Sequence, residues 1–528
     1  QGAVPCSPVK PMHAFSIDAL ELFQVACNCN LHFLIQSFIK MLCDLQGVAF
    51  QPYISCQFTI TLDQYLQILQ YVQHMMLTTI HCTGPLWHLK NACPVCTYTL
   101  QGKLELKFSL FYTMDGNDSL KHAMQQAEDP NEADKGDKTS MQCPSKCEEL
   151  LLGQVLTCDQ YLTQEEVDVF AKDHQVDIDI LTEDNPCAGC WKNMKDQYTA
   201  RMWSVFDEMG IFMVVCHHGF SLGIVDMVQS SERAKYPLAV VSRLLDAFGK
   251  GLGGGYNIGC KFKTTLSRSS LGEHAWLLAH TPLIRSFHGH AHGCLCQLDH
   301  LMTYVEGLSL EDLEGCEHAF SKSNMLASTI HYSGMFHHRQ AITNYFKHND
   351  EHDVYANLSM FLHNNYKQAL TILRETQECL PQLKHELSIT DNSVFHAWLA
   401  EEQAYLLSQK KEPKEETAQM TYWQRLVNLT ASRECLAATE SWSVITSKTA
   451  MHNLGCDRLQ CHTQENYNKD LAAVQKSELK LEITSHWKPG DMEWQNVDSL
   501  VAQHKYQCTL NNLESLVMAC IFELRKMN

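Results

Sequence analysis

Three consecutive glycines open the stretch GGGYNIGCKF, Gly253 to Phe262, and no other feature constrains the chain as strongly. Glycine has no side chain to pack, so a run of it marks backbone that must bend sharply. The stretch reads as a buried strand between a glycine-rich turn and a helix start. Dense polar sets lie on both sides of it in the chain. FHGHAHGCLC begins at Phe287 and EDLEGCEH at Glu311, while TMDGND begins far upstream at Thr113. These pieces are expected to meet in one place, with Asn257 in the middle.

A chain of 528 residues exceeds a single core and is expected to hold two or three domains. Its hydrophobic content of 45% supports a folded, globular protein. No apolar run reaches the roughly 18 to 20 residues that span a bilayer, so no membrane partner is expected. The first segment, QGAVPCSPVK, lacks the apolar core of a signal peptide. The chain starts without Met, which leaves room for upstream sequence, a targeting segment included. The net charge of -19 argues against a strong electrostatic grip on DNA by the surface at large. The first arginine is Arg201, whereas His (28) and Cys (24) are abundant. Most cysteines stand singly in apolar runs, as Cys27, Cys43, Cys158, Cys216, Cys260 and Cys520 do, and read as buried thiols of an intracellular protein. The pairs Cys93–Cys96 and Cys187–Cys190 have the C-x-x-C spacing of zinc sites.

Residues 1–92 read as helical. Apolar residues recur at i, i+3, i+4 in Phe15 to Cys27 and in Thr61 to Met76, where Thr61 is a candidate cap. From Lys103 to Thr113 apolar residues alternate as in a strand, and the following Asp-Gly-Asn is a turn. Asp115 then lies just past the carboxyl end of a buried strand, a frequent place for catalytic groups. Residues 122–139 are acidic and poor in apolar residues, an expected solvated insertion. Trp203 to Met227 holds two apolar runs parted by HHGF, a hairpin. A helix follows, with Ser230 or Ser231 as cap and Gly249 to Gly255 as stop. A strand, a helix and the short strand TPLIRSFHGHAH complete the order strand, hairpin, helix, strand, helix, strand, helix. That is the order of a ribonuclease H-like fold, an α/β (α+β) mixed sheet with flanking helices. The expected division is a helical region 1–92, this core at 93–325, and a helical region 326–528 with long amphipathic segments.

Several residue sets suit chemistry. Asp115, with Asn117 and Asp118, can hold a hard cation. Glu314 and Glu317 are three apart on a predicted helix and share a face, one turn after Glu311 and Asp312. Gly315 and Cys316 between them allow close approach to the sheet. His288, His290 and His292 alternate and would share one side of a strand, extended by Cys294 and Cys296. That density suggests Zn²⁺ or a histidine-lined wall. Cys93, Cys96, Cys187 and Cys190 can form a four-cysteine zinc site, with His217 and His218 as alternative ligands.

CPVC, YTMDGNDSLK, GIFMVVCHHGF, DMVQSSERAKYPLA, GGGYNIGCKF, FHGHAHGCLCQ, EDLEGCEHAFSKSN and FHHRQAITNYF occur in this order. From roughly Phe15 to the C-terminus the chain resembles the Kyakuja–Dileera–Zisupton transposases. The resemblance implies a ribonuclease H-like fold with an Asp–Asp–Glu triad, cut-and-paste chemistry on transposon-end DNA, self-association and a nuclear setting. It also implies an upstream cysteine cluster in many members, absent from this sequence. Carried over, the first acid is Asp115 and the last is Glu314, with Glu317 the runner-up. The second falls in Tyr-Asp-Ile-Gly-Cys, where this chain has Asn257. In such a triad two divalent ions, Mg²⁺ or Mn²⁺, about 4 Å apart drive an in-line attack on phosphorus. Asn is nearly isosteric with Asp but neutral and part donor, so the chemistry is expected to be impaired. Cys93, Cys96, Cys187, His218, His288, His290 and His292 match the family pattern and are the expected zinc residues.

Other departures share a character. His or Cys stands where the family tends to have Arg, as in Cys216-His217-His218-Gly219, Cys316-Glu317-His318 and Phe336-His337-His338-Arg339. Single C-to-T changes convert Arg codons in this way, and convert Asp to Asn. The chain therefore reads as a degenerate fungal copy in which Cys190, His217, Cys294 and His318 are accidents of decay. Two other classes stay open: a non-enzymatic DNA- or chromatin-binding protein of the same descent, and a zinc-dependent hydrolase using the histidine cluster.

Overall fold

A computed structural model of the chain describes residues 2–7, 11–84, 86–98, 100–102, 105–123, 160–173, 206–228, 233–308, 311–409, 414–445 and 450–527. Cys187, Cys190, Ser230, Ser231 and nearly all of the acidic segment lie outside these residues. The chain divides into two compact units, Gln1–Asp391 and Asn392–Asn528.

The first unit opens with α1 (Ile17–Cys29), α2 (Ile35–Gln46) and α3 (Pro52–Thr79). Ser16 caps α1, its hydroxyl accepting the Ala19 N–H at 3.2 Å. Phe23, Phe38 and Phe58 join the helices through tilted and edge-to-face rings in a core of their own. Thr61 is not a cap. The apolar period extends upstream to Pro52, which occupies the first turn, and the Thr61 hydroxyl donates to the Gln57 carbonyl inside the helix.

A six-stranded sheet holds the centre of this unit. Its main strands are β1 (Leu110–Asn117), β2 (Phe206–Cys216), β3 (Ser221–Val228), β4 (Leu252–Gly255) and β5 (Thr281–Leu283), and the two-residue strand His122–Ala123 adds to β2. The lateral order is β3-β2-β1-β4-β5. The β1–β2 and β2–β3 pairs are antiparallel, and the β1–β4 and β4–β5 pairs are parallel. The expected hairpin is present, turning at His217–Phe220. This is the mixed ribonuclease H-like sheet, with α4 (Lys235–Phe248) and α5 (Gly259–Arg268) as crossovers.

Alternation along the strands sorts side chains between two cores. Leu110, Tyr112 and Met114 of β1 and Phe212 and Val214 of β2 face α4 and α5. Met213 and Val215 face α7 (Gly315–Ser323) and α8 (Met335–Asn349) through Cys316, Phe320, Ile342 and Phe346. In the chain α6 (Cys294–His300) lies between α5 and α7, and α9 (Tyr355–Glu386) is the last long helix of the unit.

Two sequence expectations shift here. Asp115 is inside β1, paired with Met213, and not past its end, because pairing with β2 continues to Asn117. The glycines are the strand and not the turn before it. Leu252–Gly255 forms β4, and the turn falls at Tyr256–Ile258. A Cβ on Gly254 would lie 2.5 Å from the Tyr112 hydroxyl, and one on Gly255 2.7 Å from the Leu313 Cβ. The triplet leaves room for side chains that lean over it, Phe111 and Tyr112 from the neighbouring β1 and Leu313 from the segment before Gly315.

The second unit is helical: α10 (Ser393–Gln409), α11 (Lys414–Ile445), α12 (Ala450–Leu481) and α13 (Met492–Met527). Tyr422 donates to Glu478 and Ser432 to Asp470, so α11 and α12 run antiparallel. Val497 and Val501 of α13 pack with Trp423 of α11. Among the described residues no helix is long and apolar enough to cross a membrane.

Candidate active site and metal centres

The sheet brings the three distant polar sets together. Asp115 projects from β1, Asn257 from the turn after β4, and Glu314 and Glu317 from the start of α7. Gly315 seats α7 on the sheet. A Cβ there would meet Val215 at 2.9 Å, and the Thr113 hydroxyl instead accepts the Cys316 N–H at 3.1 Å.

The group at their centre was not foreseen. Arg285, directly after β5, is fully buried and points its guanidinium into the acids. Its Nη2 donates to Asp115 Oδ2 at 2.5 Å and to Glu317 Oε1 at 3.3 Å, and its Nε donates to Asn257 Oδ1 at 2.5 Å. Nη1 lies 3.9 Å from Glu314 Oε2. Asn257 Nδ2 donates to the same Asp115 oxygen at 3.2 Å, and the Gly116 N–H donates to the other at 2.9 Å. Glu314 Oε1 accepts the Phe287 N–H at 2.9 Å. The amide of Asn257 thus gives a hydrogen to a carboxylate and takes one from a guanidinium, which a carboxylate could not do.

Electrostatics follow from burial. Desolvation pushes the Asp115 carboxyl above the usual carboxylate range, and Arg285 draws it part of the way back. Glu314 is raised for the same reason with the same counterweight. Burial opposes the charged guanidinium of Arg285, but Asp115 first and then Glu314 outweigh it and hold it protonated. Glu314 is buried, whereas the Glu317 side chain is 47% exposed.

These residues are a poor cradle for Mg²⁺ or Mn²⁺ as they stand. Three carboxylates are suitable hard ligands, but both Asp115 oxygens already accept donors and a fixed cation sits among them. A divalent ion ~4 Å from the guanidinium would face about 8 kcal/mol of repulsion at an effective dielectric near ~20.

Among the described residues two Cys/His groups could hold a metal ion. The first joins Cys93 and Cys96, respectively before and within the short helix Pro94–Thr97, to Cys216 at the end of β2 and His218 in the hairpin turn. The sulfurs of Cys93 and Cys96 lie 3.4 and 3.3 Å from His218 Nδ1. In a tetrahedral zinc site with Zn–S near ~2.3 Å and Zn–N near ~2.05 Å, the S···N edge is about 3.6 Å. Hydrogen bonds, from Cys216 first, draw the Cys93 thiol down, while burial pushes Cys216 up. Cys93, Cys96 and His218 were expected ligands. Cys216 was expected only as a buried thiol and completes the set, placed there by strand pairing and not by spacing. His217, the alternative, bonds Glu311 at 3.0 Å instead.

The second group is Cys260, His292 and Cys296. His288, His290 and His292 do not share a strand face. The strand ends at Leu283, and the histidines lie on the short helix Ser286–Gly289 and the turn after it. His292 is buried, His290 and Cys294 are exposed, and His288 belongs to neither metal group. Among the described residues all cysteines are free thiols.

Residues 108–350 match the profile described as Kyakuja-Dileera-Zisupton transposase. This stretch belongs to that family. No curated protein and no solved structure matches the chain. The Kyakuja–Dileera–Zisupton match spans every strand of the main sheet, all four residues around Arg285, and the second metal group.

Proposed function

We propose that this protein is a transposase descendant that binds DNA in the nucleus and has lost efficient strand cleavage. The observation that carries the reading is the closed network of Arg285, Asn257, Asp115 and Glu314. The family match supports descent from enzymes that cut DNA. Asp115, Asn257 and Glu314 are the residues onto which the resemblance carries the triad, and their meeting at Arg285 supports that reading. The replaced acid and the buried guanidinium support impairment, since a cation-binding centre needs open carboxylate oxygens. Degeneration of a mobile-element copy accounts for Asn257. We further assign Zn²⁺ to Cys93, Cys96, Cys216 and His218, which supply four ligands of the type structural zinc takes. Its role is to tie the hairpin turn to the segment before β1.

Cleavage and binding of labelled duplex DNA in Mg²⁺ or Mn²⁺ test the proposal. The expected outcome is binding that weakens steeply with salt and no cleavage by the wild type. The double variant Asn257→Asp with Arg285→Ala is expected to nick DNA above that background, and Asp115→Ala in the same background to abolish nicking. Wild-type cleavage equal to that of the double variant would overturn the loss of activity. Absence of binding at low salt would overturn the DNA reading.

A further inference from the structure

Directly beneath the Asn257 turn, three ligands from three places in the chain converge. Cys260 lies in the first turn of α5, His292 precedes α6, and Cys296 lies in its first turn. The Cys260 and Cys296 sulfurs stand 3.5 and 3.6 Å from one nitrogen, His292 Nδ1. Both separations equal the roughly 3.6 Å edge of a tetrahedral zinc site. His292 and Cys296 are buried, with Ile284 completing an apolar wall.

The other ring nitrogen decides which form the histidine takes. His292 Nε2 lies 3.0 Å from the backbone carbonyl of Asn257. A carbonyl only accepts, so Nε2 carries the hydrogen and Nδ1 presents its lone pair to the two sulfurs. Two thiols would have to share that one lone pair in a weak three-centre arrangement, whereas one metal ion satisfies all three atoms. Donation from the far ring nitrogen to a carbonyl is the usual way proteins orient a metal-bound histidine.

We propose that Cys260, His292 and Cys296 form a second metal site, of Zn²⁺ type, that anchors the Asn257 turn from below. The site rests on its own geometry and not on the DNA reading. Metal binding clamps α5 to α6, and the His292 ring passes that restraint to the Asn257 carbonyl. Among the described residues this group supplies three protein ligands, so the fourth position takes water or a small exogenous donor.

Metal analysis and Co²⁺ substitution of the full chain test this. The described residues account for two equivalents, and Cys260→Ser or Cys296→Ser should lower the metal content of the chain by one. The thiolate-to-cobalt absorbance should fall by the contribution of two thiolate ligands, those this site supplies. Cys260→His, which keeps a ligand, should restore the second equivalent, and Cys294→Ser at an exposed position should change nothing. Imidazole should shift the cobalt visible bands of the wild type but not of Cys260→Ser. Amide exchange in a peptide covering 256–262 should be faster in Cys260→Ser than in the loaded wild type. Metal content that is unaltered by both Cys260→Ser and Cys296→Ser would overturn the site. Loss of only the Cys93 group's metal, by contrast, would leave it standing.

Discussion

Asn257 has two readings at the level of a single residue, a lesion or a fitted part. Its amide donates to Asp115 and accepts from Arg285, so the neutral side chain suits a metal-free centre better than a carboxylate would. Arg285 is the residue that changes the interpretation. Its only mark in the sequence is a lone arginine closing an apolar strand in an arginine-poor chain. His338 carries a prediction of its own. It is fully buried beside the His122–Glu208 pair, 3.3 Å from the Leu120 carbonyl. Burial lowers its pKa to about 4. The unfolded chain therefore binds more protons than the fold between about pH 6.5 and 4. The stability held above the unfolded value is lost as pH falls through that window. His338→Gln should remove about 3 kcal/mol of that pH dependence, read as a flatter urea-midpoint profile from pH 7 to 4.5. An unchanged acid slope would show that His338 does not titrate there.

At the scale of elements, β4 shows how a local signal can be real and misread. Three glycines indicate missing side chains, and a sharp turn is one cause of that. Here the cause is side chains that lean over the strand, the Tyr112 ring and Leu313 among them. Gly254→Ala should cost about 1–3 kcal/mol in chemical denaturation, as overpacking of a tight core does. Gly293→Ala is the control. Its φ of -61° suits any residue and nothing lies within 4 Å, so the change should stay within about 0.5 kcal/mol. Equal costs at the two positions would remove the packing explanation. The same element logic separates the histidines. Alternation predicts one face only if the strand persists, and β5 stops at Leu283, before the first of them.

For the whole molecule, long-range ties matter more than any single element. The Cys93 group joins residues more than a hundred positions apart, a closure whose entropy the unfolded chain otherwise keeps. Cys216→Ser should lower the thermal midpoint of the first unit by a few degrees, at roughly 1 °C per kcal/mol for a unit spanning Gln1–Asp391. It should also shrink the further drop that a strong chelator causes. A chelator effect of full size in Cys216→Ser would place the stabilising metal elsewhere. Net charge belongs to this scale too. At -19 the molecule repels DNA at long range, so any grip must come from local basic surface and be sensitive to salt.

Periodicity and order along the chain were enough for the class of fold. Apolar alternation in β1 and β2, the HHGF turn, the crossover helices and the helical C-terminal region are local properties, and each was legible. So were Asp115, Glu314, Glu317 and the Cys93–Cys96 pair as chemically suited residues, because residue type and short spacing are visible in one dimension. Pairing is not. Strand register put Cys216 beside Cys93 and Cys96, helix docking put Cys260 beside His292 and Cys296, and the end of β5 put Arg285 among the acids. Each of these depends on contacts between segments tens to hundreds of residues apart, whose geometry is set by packing of the sheet against its two helical layers. The chemistry of the centre, a guanidinium where a metal ion was expected, was therefore decided by the tertiary structure alone.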